Sequence, residues 1–137
     1  MMAVILVIDD DEHVQAVLRG ILEEAGYMVV VASNGRQGLQ QFRREPADLV
    51  LLDIFMPELD GLETLVELHR EYPAAKVIAI SGGGMECDFS FFECARVLGA
   101  HSALPKPLDR EQLLLIVGLM LRGVSPDTDS SKCDSPG

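Results

Sequence analysis

Basic residues are scarce in this chain. Eleven Lys and Arg stand against 22 Asp and Glu over 137 residues, a net charge of −11. That excess of negative charge repels nucleic acid and anionic lipid, which argues against direct DNA binding. Long apolar runs are absent too. No stretch reaches the roughly 18 residues of a membrane span, so membrane insertion is not expected. The opening "MMAVILVIDD" has neither a basic segment nor a small-residue cleavage site, which argues against a secretory signal. Cysteine is sparse: Cys87, Cys94 and Cys133 are odd in number and lack metal-ligand spacing. They are expected to be free thiols in a reducing cytoplasm, without a disulfide framework. There is no internal repeat and no G-x-x-x-x-G-K-[ST], so a P-loop nucleotide site is excluded.

What the chain does have is alternation. Short apolar, mostly β-branched runs recur at Val4–Ile8, Met28–Ala32, Leu49–Leu52, Val77–Ile80 and, more weakly, Ser102–Leu104. Segments with helical spacing lie between them. Val14, Val17, Leu18, Ile21 and Leu22 stripe the first, which stops at Gly26; Leu39 and Phe42 mark the second; Leu62, Leu65, Val66 and Leu68 mark the third. A fourth helix is expected over Met85 to Leu98, and a fifth from the N-cap Asp109 to about Arg122. Alternating strands and helices predict an α/β fold: a flavodoxin-like, doubly wound parallel sheet of five strands in the order 2-1-3-4-5, with five helices. Strands this apolar should be buried on both faces. One domain is expected over residues 1–122. Residues 123–137, "GVSPDTDSSKCDSPG", have the composition of a disordered tail.

In such sheets ligands bind beyond the carboxyl ends of the strands, at the switch in strand order. The first strand ends in Asp9 and Asp10, the third in Asp53, the fourth in Ser81, and Lys106 follows the fifth. Asp53 is conspicuous because apolar residues flank it in "LLDIFMPELDG". Burying an ionised carboxylate costs several kcal/mol unless something pairs with it. Strand order 2-1-3-4-5 would bring Asp9, Asp10 and Asp53 to one edge. An all-oxygen cluster of this kind suits a hard divalent ion, Mg²⁺ above all where phosphate chemistry is done. Lys106 would add a fixed positive charge and Ser81 a hydroxyl donor. Together these are equipment for phosphoryl transfer onto Asp53. A single Asp after a strand is more often a turn or cap residue, and Asp11 and Glu12 fit that role before the first helix. Matching residue types at four strand ends are much harder to attribute to capping.

The stretches "ILVIDDDE", "LVLLDIFMPELDG", "VIAISG" and "GAHSALPKPL" in this order resemble the receiver domain of two-component response regulators, from Ala3 to Arg122. The resemblance implies a phosphoacceptor at Asp53. It implies Mg²⁺ held by Asp10, Asp53 and the backbone carbonyl of Phe55, with Asp9 acting largely through water. Ser81 would hydrogen-bond the phosphoryl group, Lys106 would pair with it, and the Lys106–Pro107 peptide would be cis. The implied function is a single-domain, cytoplasmic regulator, not an enzyme beyond self-catalysed phosphotransfer and dephosphorylation. Its donor would be a histidine kinase or phosphotransfer protein. Its output would be a protein target or homodimer contact through the fourth helix, fifth strand and fifth helix.

The glycines at 82 to 84 would let the loop after Ser81 move toward the phosphoryl group. One position departs from the pattern: Ala103 stands where receivers usually carry an aromatic switch residue, and His101 before it is expected at the surface. That departure leaves room for an alternative, an interaction module that works independently of phosphorylation. A haloacid-dehalogenase-like phosphohydrolase would need an acid two residues after the nucleophile, where this chain has Phe55.

Overall fold

The computed structural model describes residues 3–54, 60–81, 100–105 and 109–123. Strands β1 (Val4–Ile8), β2 (Met28–Ala32), β3 (Leu49–Asp53), β4 (Val77–Ser81) and β5 (Ser102–Pro105) alternate with helices α1 (Glu12–Glu24), α2 (Gly35–Arg44) and α3 (Asp60–Glu71). Helix α4 (Arg110–Leu121) follows β5 and is the C-terminal helix expected after Asp109. The helix expected over residues 85–98 lies outside the described residues, as do the loop glycines and, from residue 124, the expected tail.

The five strands form one parallel sheet in the order β2-β1-β3-β4-β5. Successive side chains along a strand point to opposite faces, and the core divides accordingly. Leu6, Ile8, Val50 and Leu52 pack with Phe42 of α2 and with Leu65 and Leu68 of α3. Ile5, Val7, Leu49 and Leu51 pack on the other face with Leu18 and Leu22 of α1 and with Leu113, Val117 and Met120 of α4. Each fully buried Leu or Ile contributes about 1.5–3 kcal/mol, which fixes the register: a one-residue slip would turn each strand's inward set to the wrong face.

The helix ends follow local chemistry. Asp11 caps α1 by accepting the His13 N–H at 2.9 Å, and Asn34 caps α2 through the Gln37 N–H at 2.9 Å. Asp109 caps α4 through the Glu111 N–H at 3.1 Å. After α1 the chain turns at Gly26, whose φ of +100° a side chain would disfavour.

Three expectations shift. β3 and β4 end in Asp53 and Ser81 as expected, whereas β1 stops at Ile8, one residue before Asp9, and β5 at Pro105, one before Lys106. The β3–β4 ladder continues because Asp53 stands opposite Ile80 and the Ile54 N–H donates to the Ile80 carbonyl at 3.0 Å. Val17 and Val66, read as inward, are 42% and 41% exposed; the buried strip of each helix is narrower than its apolar stripe. His101 is half-buried, with its Nδ1 accepting the Val77 N–H at 3.3 Å, because at the start of β5 its ring closes an otherwise open ladder position.

Candidate functional site at the carboxyl edge of the sheet

β1 and β3 are direct neighbours, with Ile8 opposite Leu52. One residue beyond that pair, Asp9 directly after β1 comes beside Asp53, the last residue of β3. Asp9 is fully buried, Asp53 is 3% exposed, and Asp10 is exposed. One carboxylate oxygen from each of the three lies within 4.8 Å of the other two. At that separation each pair of like charges repels by about 1 kcal/mol in bulk water and about 3.5 kcal/mol at an effective dielectric of about 20. Neighbouring strand ends hold the three groups at this spacing. A divalent cation would turn their repulsion into attraction, and three carboxylate oxygens are the donor set that a hard ion prefers. On donor chemistry and spacing the residues fit such an ion.

The backbone around the cluster is fixed from several directions. The Asp9 N–H donates to the Ala32 carbonyl at 3.1 Å, carrying the β1–β2 ladder one step past β1. Asp9 Oδ1 accepts the Asp11 N–H at 2.9 Å, which bends the chain over Asp10 into α1. From α1, Gln15 Nε2 reaches back to the Asp9 carbonyl at 2.5 Å and to Ser33 Oγ at 3.4 Å. On the β3 side, α3 lies tight against the strand end at Gly61. A Cβ there would sit 2.4 Å from both the Asp53 carbonyl oxygen and Ile54 Cα, closer than real contacts allow. Glycine is thus the residue that lets the first turn of α3 close on the end of β3.

Of the residues singled out in the sequence, the structure brings Asp9, Asp10 and Asp53 together. The backbone of Ser81 ends β4 at the same edge, opposite Pro105 in β5. Phe55 and Lys106 lie outside the described residues. Gln15 and Gly61 were not singled out for the site. A glycine directly after the N-terminal Asp60 of a helix was a usable signal for close packing, because glycine weakens a helix unless its lack of a side chain is needed. Gln15 carried no such signal.

Comparison with known proteins gives a consistent picture. The profile of the response regulator receiver domain matches residues 5–118. A transcriptional regulatory protein, the CpxR homolog of Haemophilus influenzae, is 36% identical over 134 residues, which cover 97% of this chain and 57% of that protein. The transcriptional regulatory protein GlrR of Escherichia coli is 34% identical over 125 residues, 91% of this chain and 28% of that protein. The chain thus spans only part of the length of these relatives. Among solved structures, a CheY-like receiver domain protein from Methanospirillum hungatei superposes with a TM-score of 0.82 at 28% identity, covering 90% of this chain and 96% of that one. The receiver domain of NtrX from Brucella abortus gives 0.80 at 30% identity, covering 86% and 98%.

Proposed function

This chain belongs to the response regulator receiver domain family, and on that premise we propose that it is a phosphorylation-controlled signalling domain whose phosphoacceptor is Asp53. The observation that carries the reading is the meeting of Asp9, Asp10 and Asp53 within 4.8 Å at the switch point of the sheet. Three carboxylate oxygens gathered at one strand-end edge suit a site where a cation and a phosphoryl group are to be bound.

The donor is a histidine kinase or a phosphotransfer protein. An Asp53 carboxylate oxygen attacks phosphorus, the new O–P bond forms as the donor's N–P bond breaks, and the released imidazole nitrogen takes up a proton from water. Asp10, Asp53 and the backbone carbonyl of Phe55 would hold Mg²⁺, with Asp9 acting through water. Bound there, Mg²⁺ supplies the charge neutralisation that lets an anionic donor approach three acids. Lys106 pairs with the phosphoryl group and Ser81 donates a hydrogen bond to it. The chain's part is positioning and electrostatics, so it is a signalling domain and not an enzyme acting on a separate substrate.

Phosphorylation replaces a singly charged carboxylate by a group of about −1.5 to −2 with three strong acceptor oxygens. That change biases the loop following β4 and the segment 85–98. The output surface comprises this segment, β5 and α4. Helix α4 is apolar nearly all round: Leu113, Val117 and Met120 face the core, while Leu115 is 60% exposed and Leu119 half-buried. An apolar helix face left in solvent marks a contact for a protein target or a second copy. The net charge of −11 makes direct nucleic-acid binding by this chain unfavourable. Ala103, in place of the usual aromatic, favours one alternative, contacts made independently of phosphorylation.

Treatment with acetyl phosphate and Mg²⁺, read by intact-mass spectrometry, tests the phosphoacceptor. The wild-type chain should gain one phosphoryl group, and Asp53→Asn or chelation of Mg²⁺ should abolish the gain. Modification undiminished in Asp53→Asn would remove Asp53 from this role. Leu119→Arg should give a folded, phosphorylatable chain that has lost its partner. Unchanged sedimentation and unchanged target binding in that variant would place the output surface elsewhere.

A further inference from the structure

Asp10 differs from its two neighbours in how its direction is set. Asp9 and Asp53 are buried at strand ends, whereas Asp10 is exposed, and among the described residues its carboxylate makes no hydrogen bond. An exposed carboxylate of this kind takes its direction from the backbone that carries it. That backbone is tethered on both sides: the Asp9 carbonyl accepts from Gln15 Nε2 at 2.5 Å, and the Asp11 N–H donates to Asp9 Oδ1 at 2.9 Å. The first tether fixes the peptide that joins Asp9 to Asp10. A main-chain carbonyl only accepts, so the nitrogen end of the Gln15 amide must be the end that faces it.

The same amide nitrogen lies 3.4 Å from Ser33 Oγ, and the Ser33 N–H donates to Gln37 Oε1 at 3.0 Å. Two glutamines, one from α1 and one from α2, therefore lace the loops after β1 and β2. Only Gln15 touches the peptide next to the acidic cluster. We infer that Gln15 is a positioning residue that orients the Asp10 carboxylate for the divalent cation, acting through the Asp9–Asp10 peptide; this rests on the receiver reading above. Partners one shell out from a metal ligand commonly matter this way, and losing one weakens metal affinity by about 10- to 100-fold. For a tether that works through a peptide unit the lower end is expected.

Gln15→Met in the full chain removes the donor while keeping side-chain length and helix propensity. Mg²⁺ affinity, read by NMR titration without any phosphodonor, should weaken about tenfold. The thermal midpoint should stay near that of the wild type. Gln37→Met, which breaks the Ser33 lacing without touching Asp9, should leave Mg²⁺ affinity unchanged. If Gln15→Met does not fold, Gln15→Ala serves in its place. Affinity within about twofold of wild type for Gln15→Met, or an equal loss in Gln37→Met, would overturn the inference and leave the lacing as simple support for the loops. A wild-type chain with no Mg²⁺ affinity would instead bring down the Mg²⁺-dependent phosphorylation reading and this inference with it.

Discussion

At the amino edge of the sheet, Asp48 accepts the Val4 N–H at 2.7 Å and Lys76 Nζ donates to the Met120 carbonyl at 2.8 Å. Each charged group there closes a main-chain group that the start of β1 or the end of α4 leaves open. At the carboxyl edge Asp9, Asp10 and Asp53 gather on one another, within 4.8 Å. Aspartates stand at both edges, but only at the carboxyl edge do three of them converge, one of which, Asp9, also accepts a backbone N–H. A carboxylate accepting a backbone N–H gains about 0.5–1.5 kcal/mol. Carboxylates beside one another repel, and a divalent cation bound among them would offset that repulsion. The amino edge also carries a depression lined by Ala3, Ala47, Ala74, Ala75 and Leu121 together with Asp48 and Lys76. Its two charged groups are already committed to the backbone, and it lacks the convergent polar groups of a binding site.

The sharpest way to break this contrast is at Gly61. Adding a Cβ places it 2.4 Å from the Asp53 carbonyl oxygen and from Ile54 Cα, backbone atoms that cannot swing aside. Either α3 moves out or the end of β3 distorts. Gly61→Ala should therefore lose about 1–3 kcal/mol of stability, and because Asp53 itself is displaced, phosphorylation should fall by more than the folded fraction explains. Denaturant unfolding together with intact-mass spectrometry separates the two losses. Gly20, on α1 with open space around its Cα, is the control: Gly20→Ala should stabilise by about 0.5–1 kcal/mol and leave phosphorylation alone. Full phosphorylation in a destabilised Gly61→Ala would show that the tight approach serves the fold and not the site.

Much of this layout was legible in the sequence, for identifiable reasons. The strand positions were readable because runs such as Leu49–Leu52 are apolar on both faces, as strands covered by helices on both sides must be. The convergence of the acids followed from placing strand ends in the order β2-β1-β3-β4-β5. The ends of β3 and β4 were read correctly at Asp53 and Ser81, although the apolar runs stop one residue earlier. Asp53 is part of the ladder because hydrogen bonding to β4 continues past the last apolar residue, and hydropathy does not report hydrogen bonds. Val17 misled because a helix can carry more apolar residues than its contact strip uses. His101 misled in the opposite sense: a histidine with no acidic neighbour assured read as surface, yet its ring nitrogen completes a ladder position. Gln15 was illegible, since a glutamine in the first turns of an amphipathic helix looks like solvated surface until the fold brings a carbonyl to it.

The smallest expected effect lies where α2 and α3 both end, toward the amino edge. Arg43 in the last turn of α2 meets Glu71 at the end of α3 through two hydrogen bonds, of 2.9 and 2.5 Å. That hydrogen bonding is the chief reason the Glu71 carboxyl is held below its ordinary range; partial burial opposes it, and the positive charge of Arg43 adds to it. The Arg43 guanidinium is correspondingly raised, first of all by the same hydrogen bond. A carboxyl whose pKa is lowered in the folded state stabilises above its unfolded pKa, and the contribution disappears as pH falls through the folded value. The stability difference between wild type and Glu71→Gln should thus be present at about pH 7 and gone by about pH 2. With the two side chains 45% and 28% exposed, the gain is small and should shrink further in salt. Chemical unfolding across that range at low and high ionic strength measures it. Phosphorylation of Asp53 in Glu71→Gln should match wild type, since the pair lies at the far end of the helices from the acids. A change there would mean that the two edges are coupled through α3, whose first turn closes on β3 at Gly61 and whose last turn holds Glu71.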